Sequence, residues 1–219
     1  MIGWVSKFII VGVCAGLAGC GGGGGGASGG GGGGPAADPR LARLDTYEAQ
    51  KLRVLGDPDA GLSAMPLTPA NAVPSSGTAS FTGSATIRVE LQADPLVLFG
   101  DATVDVDFGT GSSSGSLANF FGATPQGQVE NYQGEITVTG DATAQNMTLD
   151  YNGSLTAPGQ TIGFDGILET LFLGAPVVAI AASDLEAVVV HNATPQSATL
   201  IVIGEGAVVA PTNPPQIPP

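Results

Sequence analysis

Two cysteines, one histidine and nineteen carboxylates are the side chains from which this 219-residue chain could build a metal site or supply a thiolate, imidazole or carboxylate to a reaction. His191 stands alone, so a Ser-His-Asp relay, a Cys-His pair and a multi-histidine zinc site cannot be assembled. Its context, followed by Asn192-Ala193-Thr194, reads as an exposed turn. Asp101, Asp105 and Asp107 share one face of an extended segment. Calcium takes ligands that converge from a loop, whereas a straight strand spreads them. Asp165 and Glu169 also share a face, and spacing alone does not separate a glycosidase pair from two solvated acids. The residues therefore predict no metal, no cofactor and no catalyst.

The thiols point elsewhere. Cys14 and Cys20 both lie near the start, so residues 21–219 can form no disulfide and no Cys-based metal site. Lys7 precedes an apolar run from Phe8 to Ala18 that is too short for a bilayer, which needs roughly 20 apolar residues, but suits a signal peptide. The run ends Leu17-Ala18-Gly19-Cys20, which resembles a bacterial lipobox. Residues 1–19 are expected to be a lipoprotein signal peptide, cleaved between Gly19 and Cys20, with lipid carried on Cys20. Several acyl chains on one terminus anchor stably where a single chain is marginal. Gly21 is not the aspartate that retains such proteins in the inner membrane, which points to the outer membrane, facing the periplasm or the cell exterior. Residues 20–37 hold two glycine runs with almost no side chains to bury and read as a lipidated coil tether. Its reach is about 20–25 Å root-mean-square.

These chemical groups have to be positioned by a short helix and then by strands. Asp38 as N-cap and Pro39 at the first helical position open an amphipathic helix over 38–56, which Gly56 and Asp57-Pro58 stop. Its apolar stripe is Leu41, Leu44, Tyr47, Leu52 and Leu55, and its polar face carries Arg40, Arg43, Glu48, Lys51 and Arg53. Such a helix can lie on an anionic bilayer surface or pack its leucines on the following domain. Residues 57–76 read as an irregular connector, and 211–219 as a Pro-rich tail.

From Gly77 the apolar period becomes two. Phe81, Ala85, Ile87 and Val89 alternate with polar residues, as do Ala102, Val104, Val106 and Phe108, which makes a half-buried antiparallel hairpin. With Leu91 opposite Leu96, Thr86 faces Asp101 and Arg88 comes within diagonal reach of Asp101. Further strands are expected over Gly115–Phe121, Gly134–Gly140, Met147–Thr156, Thr161–Leu173, Val177–Val190 and Ala198–Val209. Eight strands with short connections make residues 77–210 an all-β, eight-stranded antiparallel up-and-down β-barrel, whose closure removes exposed edges. A barrel of that size is filled by side chains, with Phe81, Phe108, Ile136, Leu149, Tyr151 and Leu155 as the expected filling. A membrane-spanning barrel fits poorly, because aromatics are only 5% and acids such as Asp105 would face lipid or a wide lumen.

Residues 75–219 hold fourteen acids against the single base Arg88 and carry the whole formal charge of −13. So acidic a surface repels phosphate backbones and excludes nucleic acid as a partner.

The segment Ser76-Gly77-Thr78-Ala79-Ser80-Phe81-Thr82-Gly83 and the segment 105–117, Asp105-Val106-Asp107-Phe108-Gly109 onward, resemble the barrel domain of transferrin-binding protein B-like surface lipoproteins. The resemblance covers about residues 75–210. A later motif is altered, with Ala179-Ile180-Ala181-Ala182 where the family usually has glycines. The resemblance implies display on the outer membrane and binding of host iron proteins, complement regulators or haem carriers. Transferrin binding is not carried over, since it needs large handle loops that one barrel of this length lacks. The expected function is an outer-membrane lipoprotein whose soluble barrel binds a protein partner or small ligand at its loops, Gly109–Ser114 and Ala123–Gln133, with Tyr132 as the contact aromatic. The alternatives are a structural envelope lipoprotein without a dedicated ligand and a calyx for a small apolar ligand.

Overall fold

The computed structural model describes residues 38–123, 128–143 and 146–210. The expected signal peptide, tether and tail lie outside the described residues, and so do Gly19 and Cys20.

Helix α1 spans Pro39–Leu55. The Asp38 carboxylate accepts the Arg40 N–H at 2.9 Å, and the Gly56 N–H donates to the Leu52 carbonyl at 3.0 Å. Gly56 has φ +70°, and a Cβ there would come within 2.4 Å of the Ala64 nitrogen, so only glycine ends the helix this way. The connector is ordered rather than loose. Met65 donates to Val54, Thr68 donates to Phe172, and the Thr68 hydroxyl reaches the Gly174 carbonyl at 2.6 Å.

Eight long strands follow: β1 Thr78–Val89, β2 Leu96–Asp107, β3 Ser112–Ala123, β4 Val129–Thr143, β5 Asn146–Ala157, β6 Gln160–Leu173, β7 Ala179–His191 and β8 Thr194–Glu205. Each pairs antiparallel with the next, and β8 returns to β1, so the sheet closes into the expected up-and-down barrel. The last expected strand is divided: chain passes Gly206, and a short β9, Val208–Val209, pairs with the start of β1.

The first hairpin is in a different register from the expected one. Val89 lies opposite Leu96 and Ser84 opposite Asp101. Residues 90–95 make a longer turn, and Arg88 pairs with Glu90 instead of Asp101. That pair is exposed and contributes little.

Period-two burial holds around the barrel. The six expected filling residues are all buried in one core. Phe172 sits with its ring centroid 5.6 Å from that of Phe108 and 6.5 Å from that of Phe81. Tyr151, Phe81, Phe120 and Phe172 are each at most 1% exposed, so the interior is packed. A calyx needs small residues around an open lumen, and these rings occupy the space it would require.

A second, smaller apolar cluster lies on the outside of the wall. Leu173, Ala179 and Ile203 alternate with the inward Phe172, Ile180 and Val202, and Val54 of α1 covers them. Helix α1 therefore packs on the barrel. The face it uses is Arg43, Tyr47, Gln50 and Val54, and Leu55 packs against the same cluster, so Tyr47 and Leu55 of the expected stripe meet the barrel while Leu41 remains 44% exposed.

Candidate functional site

The acids and the imidazole considered for chemistry do not converge. Asp105 is exposed on β2. The Asp107 carboxylate accepts the N–H groups of Gly109 and Thr110 at 2.8 and 3.1 Å, capping the turn to β3. Asp165 and Glu169 are exposed on the outer face of β6, and His191 closes β7 half-buried. Among the described residues no three His, Cys, Asp or Glu side chains cluster as metal ligands.

Tyr132 is not a contact aromatic in a loop. It stands inside β4, only 3% exposed, with its hydroxyl donating to Gln160 at 3.2 Å. Strand β4 starts earlier than its composition suggests, because Phe120 to Ala123 of β3 pair across to Tyr132 to Val129.

What the structure does assemble is an acidic outer wall with a basic helix laid across it. At about 1.5 Å per residue, the 17 residues of α1 extend about 25 Å. From its C-terminal end, Arg53 reaches Glu205 of β8 at 2.6 Å, and Gln50 donates to the Thr82 carbonyl of β1 at 3.1 Å. Gly83 makes that approach possible, since a Cβ there would come within 2.8 Å of the Gln50 amide and closer still to the Ile203 carbonyl. Tyr47 donates to Asp101 of β2 at 2.6 Å. Arg43 bonds the same carboxylate at 2.9 Å and lies over the Phe121 ring of β3, 4.9 Å from its centroid. Arg40 reaches Asn131 of β4 at 2.9 Å.

Electrostatics follow from this geometry. Burial pushes the Asp101 carboxyl up, but hydrogen bonds from Tyr47, Asn119 and Arg43 outweigh it and hold it below the ordinary carboxylate range. The Arg53 guanidinium holds Glu205 down in the same way. Burial, then the Asp101 carboxylate, pushes the Tyr47 phenol up to about 12. The arginines expected to form the polar face of α1 are thus its grip on the barrel. One signal for this was present in the sequence: Arg40, Arg43, Lys51 and Arg53 fall in one helix, next to a domain almost without bases.

The wall of β6 and β7 lies beyond this helix. Between Gly163 and Glu169 of β6 the pairing with β7 shifts, and β7 bulges against β8 between Asp184 and Ala187. The Tyr151 hydroxyl enters from the core and donates to Asp184 at 2.8 Å. Gly166 leaves it room, as a Cβ there would come within 2.4 Å of that hydroxyl. Outside, Ile167, Leu171, Leu185, Val188 and Val190 are 39–59% exposed.

No protein-family model and no curated protein matches the chain. Solved structures similar to it include three of transferrin-binding protein B. A double mutant of the vaccine antigen transferrin-binding protein B from Haemophilus parasuis Hp5 matches over 64% of this chain and 28% of its own, at 15% identity and TM-score 0.46. A single mutant of that antigen matches over 65% and 29%, at 15% identity and TM-score 0.47. An intact Ap-TbpB with N and C lobes matches over 64% and 28%, at 16% identity and TM-score 0.44. The chain spans less than a third of the length of these proteins. The described residues form an eight-stranded antiparallel barrel, and these similarities, at 15–16% identity, are in fold alone.

Proposed function

We propose that the chain is an outer-membrane lipoprotein, lipidated on Cys20, whose soluble barrel is a protein-interaction module. The observation that carries this reading is the packed interior. With Phe81, Tyr151 and Phe172 filling the space inside the sheet, the barrel has only its outer wall and connections to offer. The Leu17 to Cys20 segment and the glycine-rich residues that follow support a module held at a membrane with freedom to reach a partner. The acidic wall favours partners with basic surfaces and repels nucleic acid and anionic lipid.

The test uses the full chain, affinity-tagged at its C-terminus and purified in detergent micelles from its native cells. At micromolar concentration it captures a specific protein partner, and protease added to intact cells reports which side of the membrane displays the barrel. Capture of nothing at that concentration contradicts the reading.

A further inference from the structure

The outer wall of the barrel is covered on one side and open on the other. Helix α1 crosses β8, β1, β2 and β3 and reaches β4, covering the apolar residues Ala179 and Ile203 with Val54. Where α1 ends, the apolar character of the wall continues along β7 and β6. Register places Val190 beside Gly163 and Leu171 beside Ala181, with Ile167, Leu185 and Val188 between them on the same outer face. Acids interrupt this surface: Asp165 and Glu169 alternate with Ile167 and Leu171, and Glu186 follows Leu185. Asp150 lies opposite Ile167 on β5.

We infer that the outer face of β6 and β7 is a docking surface for a basic amphipathic segment of another protein. The occupant's chemistry is read from α1, which covers the adjoining stretch with the apolar Val54 and Leu55 and carries arginines that reach wall carboxylates. The open stretch offers the same complement, exposed apolar side chains among the carboxylates Asp165, Glu169 and Glu186. A second copy of the chain fits poorly, because an isologous contact would set Asp165, Glu169 and Glu186 against their own equivalents. An anionic bilayer is repelled for the same reason. The inference rests on the reading of the barrel as an interaction module and specifies its surface.

The experiment places a photo-cross-linking phenylalanine derivative at Ser197 of the full chain, opposite Val188 on β8, in its native cells. Parallel chains carry the derivative at Thr137 on β4 and at Thr110 in the turn after β2. The expected product forms at Ser197 at least tenfold more than at Thr137. Mass spectrometry maps it to a segment of another protein with lysines or arginines around an apolar centre. Glu169→Lys with Glu186→Lys, or Val188→Asp alone, lowers that yield at least tenfold while the circular dichroism spectrum is unchanged. The charge pair is exposed, so it decides the matter if Val188→Asp does not fold. Products with a second copy, with lipid, or with a segment lacking basic residues overturn the inference. A product at Thr110 and none at Ser197 overturns this surface but leaves the interaction module standing; no protein product at any of the three positions overturns both.

Discussion

Replacing Tyr151 by Phe tests how the break between β6 and β7 is sealed. The ring stays in the core, and only the hydroxyl that donates to Asp184 at 2.8 Å through the gap beside Gly166 is removed. A hydrogen bond to a charged group contributes about 1.5–3 kcal/mol. Asp184 is half-buried and keeps some water, so the lower end applies, about 1.5 kcal/mol. For a domain of this size that corresponds to a fall in Tm of about 3–6 °C. A second signature comes from pH. Burial first, then the Asp184 carboxylate, pushes the Tyr151 phenol above its ordinary value. A phenol whose folded value is raised contributes stability that is complete below about pH 10, its unfolded value, and is lost as pH rises toward the folded one. The native chain therefore loses stability above about pH 10, and Tyr151→Phe loses less of it, with Tyr47 still titrating in both. Urea unfolding followed by far-ultraviolet circular dichroism at pH 7, 9 and 11 reads both effects. An unchanged midpoint at pH 7 together with parallel alkaline slopes refutes the assignment.

Three further outcomes follow from the packing. Val54→Asp puts a carboxylate among Leu173, Ala179 and Ile203, and hydrogen exchange over residues 39–55 should accelerate at least tenfold while β1–β8 stay protected. Asp101 and Glu205 are held below the ordinary carboxylate range, so their grip on α1 is complete above about pH 4–5 and fades as pH falls through their folded values. Limited proteolysis between α1 and β1 should be faster at pH 3 than at pH 6. Phe172→Ala empties the centre of the Phe81–Phe108 cluster and should destabilise the barrel by about 3–5 kcal/mol in chemical denaturation, a loss an exposed ring would not show.

The elements were legible where local chemistry dictates them. Asp38, Pro39 and Gly56 bounded the helix because capping is set by side chains at the site itself. Alternation marked the strands and the filling residues because one face of each strand meets the core. What depended on distant partners was not legible. The register of the first hairpin follows from closing the sheet through β8 as well as from its own turn, so Asp101 lies two positions from where an isolated hairpin would put it. The docked face of α1 was legible only in part for a similar reason. Tyr47 and Leu55 of the expected stripe do face the barrel, but the wall beneath carries Asp101 and Glu205 and leaves room for Gln50 at Gly83, so arginine and glutamine join them. Tyr132 sits among Gln, Asn and Gly, a loop-like composition that cross-strand pairing overrides.

The central claim, a packed barrel held at the membrane through acylated Cys20, is tested most directly by labelling cells with a clickable fatty acid and fractionating them. The native chain is predicted to carry label and to sediment with the outer membrane, and Cys20→Ala to carry none and to appear in the soluble fraction. A Cys20→Ala chain that still sediments with membranes, or a native chain without label, contradicts it.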